Sequence, residues 1–261
     1  MLQIENLSAC YYQEDSVIKA IDTVSFSLGK GQTLGLLGES GSGKSTVALA
    51  ILRLISPPGK ITSGKILLDG KDLLRLDENK MRMIRGGKIS MIFQDPFSSL
   101  NPVFTVGEQI AEAIRLHQNL GNHEAWEKTV EILELCKIKN PKVRAKDYPH
   151  QFSGGMRQRV MCAMALSCHP NYLIADEPTT ALDVTIQAQI LDLIKELQQK
   201  LGFGMIFITH NFALVKQLCG EVVILEKGKV VERGKTEEVF NNPQESYTRN
   251  LVDCLKAMRS F

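Results

Sequence analysis

The stretch Gly38-Glu39-Ser40-Gly41-Ser42-Gly43-Lys44-Ser45 decides how this chain is read. It fills every fixed position of the pattern G-x-x-x-x-G-K-[ST]. In that pattern glycines let backbone N–H groups curl around phosphate oxygens, and a helix start adds the positive end of a dipole. The context agrees. Thr33-Leu34-Gly35-Leu36-Leu37 before it is a short apolar run of the buried-strand kind, and the run from Thr46 to Ile55 lacks Gly and Pro and reads as helix. Strand, loop and helix in that order predict a site for ATP and Mg2+, with contacts from Gly38 through Thr46. Lys44 reaches the β- and γ-phosphates, and the Ser45 hydroxyl sits on the metal.

At 261 residues the chain is long enough for one large domain or a core with a subdomain, and 44% apolar residues supply a core. A count of 31 basic against 29 acidic residues leaves a formal charge of +2, too balanced to argue for nucleic acid as a partner. Cys10, Cys136, Cys162, Cys168, Cys219 and Cys254 form no C-x-x-C pair and no Cys/His cluster at ligand spacing. They are expected as reduced core thiols in a cytosolic protein. Met1-Leu2-Gln3-Ile4-Glu5 does not open a signal peptide, and no apolar run approaches the ~20 residues that span a bilayer. Any membrane role is expected to come through a partner.

Leu2 to Ser8 and Val24 to Leu28 read as strands, separated by Tyr11 and Tyr12 in a polar connection, where an aromatic could stack on adenine. Ser56-Pro57-Pro58-Gly59 is a break, and Ile66-Leu67-Leu68 with Asp69-Gly70 a strand and turn. Lys88 to Phe93 is another strand. From Pro96 to Phe152 the pattern is helical. Over Glu124 to Ile138, Trp126, Val130, Leu133 and Cys136 or Lys137 form a one-sided stripe expected to pack on the core. Ser153 is an N-cap for a helix from Gly154-Gly155 through Leu166, closed by His169-Pro170. A strand at Tyr172 to Ala175 is followed by a helix from Thr185 to Leu201, with Ile186, Ile190, Leu193, Ile194 and Leu197 on one face. Met205 to Ile208 is a second buried strand. Glu221 to Arg233 reads as a hairpin around Lys227-Gly228, and the tail from Thr236 as helical or irregular. The alternation predicts an α/β P-loop NTPase core with a mainly parallel sheet, antiparallel β additions and an inserted α-helical subdomain. Residues 1–95 and 161–235 are assigned to the core, 96–160 to the inserted subdomain and 236–261 to a C-terminal tail.

In such sheets ligands bind beyond the carboxyl ends of the strands, where Gln94, Asp176, Glu177 and His210 each follow an apolar run. An acidic pair after a buried strand, next to a P-loop, supplies one carboxylate for Mg2+ and one to orient the attacking water. These residues, with Ser153-Gly154-Gly155, Met156-Arg157-Gln158-Arg159 and Ala181-Leu182-Asp183, resemble the ATP-binding cassette (ABC) ATPase family over about residues 1 to 250. The resemblance implies that Tyr11 stacks on adenine, with Tyr12 a neighbouring possibility. Lys44 and Ser45 hold phosphate and Mg2+, Gln94 senses metal and water, and Asp176 supports Mg2+. Glu177 is the catalytic carboxylate, His210 contacts the γ-phosphate, and Ser153, Gly154 and Gly155 cover ATP on an opposing subunit. Phe152 and Met156 depart from the Leu and Gln common on either side of Ser-Gly-Gly.

A narrower resemblance rests on the run from Gln94 to Pro102, the run from Ala175 to Thr185, and Tyr247-Thr248-Arg249. These are similar to the nickel/oligopeptide importer group. That resemblance implies an ATPase peripheral to the cytoplasmic face of the inner membrane. Its expected partners are two transmembrane permease subunits, a second and different ABC ATPase subunit and, indirectly, an extracytoplasmic solute-binding protein. No nucleic-acid partner is expected: relatives acting on DNA or ribosomes carry a long coiled-coil insertion or two cassettes. Glu177 and His210 argue against a switch that does not turn over. The short run after Arg249, with Cys254 as its one cysteine, cannot hold a four-thiolate cluster and resembles nickel or metal-chelate importers more than di- or oligopeptide importers.

Overall fold

Strand β1 (Leu2–Tyr12) opens with Leu2 and Ile4 buried and Gln3 and Glu5 less so, the two-residue period of a sheet with one dry face. Asn6 breaks that period. It takes φ 47°, its N–H donates to Ser25 Oγ at 2.8 Å, and pairing with β2 (Val17–Leu28) changes register between Ile4 and Leu7. Thr23 does the same on β2, at φ 54°, with its N–H on Ser8 Oγ at 2.9 Å. These irregularities shift the apolar phase midway. Both strands therefore run past the stretches expected from alternation, and Tyr11 and Tyr12 lie inside β1, opposite Ile18 and Val17, rather than in a connection. The computed structural model describes residues 1–95, 99–180 and 182–258; Pro96, Phe97, Ser98, Ala181 and the Cys254 side chain, all within stretches quoted above, lie outside the described residues. The chain forms two compact units, Met1–Met81 with Gly204–Phe261, and Arg82–Phe203.

In the first unit, β3 (Thr33–Leu37) is buried along its whole length and leads through the glycine loop into α1 (Lys44–Ile51). The helix stops before the expected Ile55. Arg53 turns left-handed at φ 51°, its N–H bonds Ala50 O at 3.0 Å, and Leu54 N–H bonds Leu49 O at 2.8 Å, the two bonds of a Schellman close. Arg53 stands where glycine is usual, and its guanidinium donates to Leu76 O at 2.6 Å. Then β4 (Gly59–Leu68) pairs antiparallel with β1 and turns at Asp69 (φ 48°) and Gly70 (φ 82°) into β5 (Lys71–Asp72), giving the order β2-β1-β4-β5.

Among the described residues the second unit holds β6 (Ile89–Ile92), parallel to β7 (Tyr172–Asp176), and four long helices. Helix α2 (Val106–Gln118) begins with a capping box in which Thr105 Oγ1 accepts from Glu108 N at 3.2 Å and Glu108 Oε2 from Thr105 N at 2.9 Å. On α3 (Asn122–Leu135) the buried face is Ala125, Thr129, Ile132, Leu133 and then Cys136. The expected stripe begins one residue out of phase, and Trp126 and Val130 are only half-buried. Thr129 made that face look polar; its Oγ1 donates to Ala125 O at 2.8 Å, which satisfies the hydroxyl without water. The helix ends two residues before Lys137, itself at φ 61°. Helix α4 (Gly154–Leu166) and α5 (Val184–Leu201) pack together, the latter burying Ile190, Leu193, Ile194 and Leu197, with Ile186 half-exposed.

The chain re-enters the first unit at β8 (Gly204–Thr209), parallel to β3. After α6 (Phe212–Leu218), β9 (Glu221–Glu226) lies parallel to β3 on its other side. Lys227 (φ 47°) and Gly228 (φ 82°) form the expected tight turn into antiparallel β10 (Lys229–Lys235). Two helices follow, α7 (Thr236–Asn241) and α8 (Ser246–Met258). Cys10, Cys136, Cys162 and Cys219 are buried and unbridged, and burial pushes the Cys162 and Cys219 thiols up to about 12; Cys168 is less deeply placed. The phase of α3 is testable. Leu133→Ala should cost about 2–5 kcal/mol by urea denaturation and Val130→Ala about 1 kcal/mol or less. Equal losses would mean that the helix is turned differently.

Candidate functional site

In the first unit β3 and β8 run parallel with Leu37 opposite Thr209, so the loop from Gly38 and the imidazole of His210 leave the sheet at the same end. Two of the loop glycines are needed for clearance. A Cβ on Gly38 would lie 2.3 Å from Leu225 O, and one on Gly43, already at φ 102°, 2.4 Å from Ala20 O. From the hairpin, Gly228 N–H donates to Ser42 O at 3.0 Å. Lys44 is buried, and its ammonium donates to Gly38 O at 2.8 Å and Glu39 O at 2.7 Å. Carbonyl dipoles thus keep a desolvated cation inside the loop. The first helical bond runs from Val47 N to Gly43 O at 3.0 Å, so the amides of Ser45 and Thr46 have no acceptor within α1. The exposed Ser45 hydroxyl stands on that first turn.

Tyr11 is half-exposed, its ring edge against Gly59, while Tyr12 is more open and faces Lys60, whose Nζ is 5.9 Å from the ring centroid. His210 is exposed. Behind it, Thr209 Oγ1 accepts from Asn211 N at 3.0 Å and Asn211 Oδ1 caps α6 through Ala213 N at 3.0 Å.

In the second unit the parallel register sets Ile92 opposite Ala175, so Gln94 and Glu177 each fall two residues past a matched pair. They meet: Gln94 Nε2 donates to Glu177 Oε2 at 3.1 Å, and Thr180 Oγ1 donates to the same oxygen at 2.9 Å. Two donors on one oxygen fix the direction of the carboxylate. Glu177 also has φ 45°, left-handed for a residue with a side chain. Asp176, at the end of β7, is only 4% exposed. Sequence reasoning missed Thr180; a hydroxyl three residues beyond a carboxylate was the available signal.

Ser153 is the N-cap of α4 as expected, its Oγ accepting from Met156 N at 3.4 Å. Arg157 Nε holds Pro149 O at 2.8 Å, anchoring the turn that delivers Ser153, and Arg159 Nη2 reaches Gln189 Oε1 on α5 at 3.2 Å. A Cβ on Gly155 would lie 2.6 Å from Ile186 Cγ2, so this glycine is needed for α4 to approach α5. Gly154 is different. Among the described residues a Cβ there would meet Leu182 alone, at 3.6 Å. Asp183 caps α5 through Ile186 N at 2.9 Å.

The residues suit ATP with Mg2+: a buried ammonium and helix-start amides for phosphate, and carboxylate and hydroxyl oxygens of the hard kind that Mg2+ takes. Comparison with known proteins agrees. A family model described as ABC transporter matches residues 21–180. The probable peptide ABC transporter ATP-binding protein y4tR of Sinorhizobium fredii is 47% identical over 99% of this chain and 78% of its own length. The glutathione import ATP-binding protein GsiA of Escherichia coli is 51% identical over 97% of this chain; the chain spans only 41% of that longer protein. Among solved structures, the ATP-binding cassette MJ0796, a dimer in a post-hydrolysis state with ADP and Pi, superposes with a TM-score of 0.80 at 28% identity, covering 90% of this chain and 99% of that one. The glycine loop, the α/β fold and these similarities together place the chain in the ABC transporter family, as a member that carries its ATPase cassette.

Proposed function

We propose that the chain is the ATP-hydrolysing subunit of an importer of peptides. The observation that carries the chemical part is the Glu177 carboxylate, oriented by Gln94 and Thr180 where β7 ends. Glu177 accepts a proton from the attacking water, and Gln94 and Thr180 hold the carboxylate in line for it. Lys44 and the amides of the loop from Gly38 to Thr46 bind the phosphates, and His210 contacts the γ-phosphate. Ser45, Gln94 and Asp176 are the residues that would hold Mg2+, and the ion, when bound, would supply positive charge to the phosphate oxygens. Tyr11, or Tyr12 beside it, stacks on adenine.

The cargo is inferred from the relatives, since an ATPase subunit does not touch what is carried. y4tR is named for peptides and GsiA for glutathione, itself a tripeptide. That favours the second of the two cargo expectations. The preference for nickel rested on the run after Arg249, a weaker guide than similarity over nearly the whole chain. The further parts are residues 1–95 and 161–235 as nucleotide-binding core, 96–160 as helical subdomain and 236–261 as tail. In the cell the chain would sit peripherally at the cytoplasmic face of the membrane, with two permease subunits, a second ATPase and a binding protein upstream. Among the described residues no helix is long and apolar enough to cross a membrane.

Glu177→Gln should bind MgATP as the parent does while steady-state hydrolysis falls about a hundredfold or more; near-normal single-turnover hydrolysis would remove Glu177 from its role. Gly154→Asp has room for its Cβ and places a carboxylate at the helix start. It should keep nucleotide binding but lose ATP-driven dimerisation by light scattering, and dimerisation equal to the parent would refute the assignment of Gly154 to an opposing ATP. Cells without this subunit should lose uptake of labelled peptides and keep that of nickel, cobalt and zinc. The reverse pattern would restore the metal reading.

A further inference from the structure

The glycine loop has a fastening that its own motif does not call for. Within the same unit, the N–H of Glu39 donates to the hydroxyl of Tyr247 at 3.4 Å, across 208 positions of sequence. The other face of that residue is engaged too: Glu39 O accepts from Lys44 Nζ at 2.7 Å and from Ser42 N at 3.2 Å. Ser40 and Gly41, which follow, are exposed, and among the described residues a Cβ on Gly41 would meet nothing within 4 Å. This outer arm of the loop therefore has few other neighbours to keep its shape.

Tyr247 is itself firmly placed. It is the second residue of α8, and the approach to that helix is tied to β10 by one carboxylate, Glu232 Oε1 accepting from Gln244 N at 2.9 Å and Glu232 Oε2 from Glu245 N at 3.2 Å. Arg249 Nη2 donates back to Gln244 O at 2.6 Å, and Thr248 and Val252 are buried. Burial raises the Tyr247 phenol above its usual value; the Glu39 and Glu226 carboxylates push the same way, and only the Glu39 N–H bond opposes them. The hydroxyl is neutral at physiological pH and available as an acceptor.

We infer that Tyr247 is a positioning residue for ATP: its hydroxyl fixes the Glu39 peptide, so that the C-terminal helix helps to set the shape of the phosphate loop. This rests on the ATP reading of the loop given above. At 3.4 Å the bond is long, so its effect belongs at the lower end of the range for a single hydrogen bond. Tyr247→Phe keeps the ring and removes the acceptor. In the full chain without nucleotide, amide exchange at Glu39 should speed up about two- to fivefold, with the β3 amides and the thermal midpoint unchanged. Affinity for a fluorescent N-methylanthraniloyl ATP with Mg2+ should fall by a similar factor. Unchanged exchange at Glu39, or an affinity equal to the parent's, overturns the inference. A loss of affinity accompanied by faster exchange throughout β3 also overturns it, because that reports general loosening. If the parent fails to bind the analogue, the ATP reading falls and this inference with it, whereas a parent that binds while Glu39 exchange is unmoved removes this inference alone.

Discussion

Two backbone carbonyls, Leu225 O and Ala20 O, stand where side chains on Gly38 and Gly43 would have to go. Much of the first unit can be understood as the means of bringing them there. The hairpin at Lys227-Gly228 puts Gly228 N–H on Ser42 O, and the Asp22 N–H on Gly228 O at 2.8 Å ties β2 to the same corner. A loop held this closely keeps its amides and the Lys44 ammonium in position before any ligand arrives. Preorganisation of that kind is what lets fixed dipoles act on a charged ligand without reorganising as it binds.

The second unit solves a different problem, that of aiming a carboxylate. The parallel pairing of β6 with β7 brings Gln94 level with Glu177, and Thr180 closes back on the same oxygen from one turn later. Strand register here does the work that side-chain packing does elsewhere. A slip of one residue in β6 would send the amide to the other face of the pair.

What was legible in the sequence was whatever is dictated locally. The glycine loop, the Ser153 cap, the buried strands before Asp176 and His210, and the Lys227-Gly228 turn each follow from a few adjacent residues, and the structure has them. What was missed depended on partners far away or on a local irregularity. Thr129 is a poor core residue until its hydroxyl finds Ala125 O, and Asn6 and Thr23 turn β1 and β2 out of simple alternation. Gly155 stood out as part of the Ser-Gly-Gly run that the family resemblance rests on, but its need to clear Ile186 appears only when α4 lies on α5. The hydroxyl of Tyr247 on Glu39 spans most of the chain, and no periodicity could announce it. The preference for a metal cargo rested on the short run after Arg249, whereas relatives similar over nearly the whole chain are named for peptide and for glutathione.

Glu177 combines the carboxylate proposed for catalysis with a backbone at φ 45°. A residue with a Cβ pays roughly 1–2 kcal/mol to sit in that left-handed well, and glycine would not. Folding stability and the carboxylate therefore pull this one position in opposite directions. Screening variants for heat resistance alone would reward glycine at 177 and discard the carboxylate we propose orients water, so any stabilised version of this cassette should be selected on turnover as well.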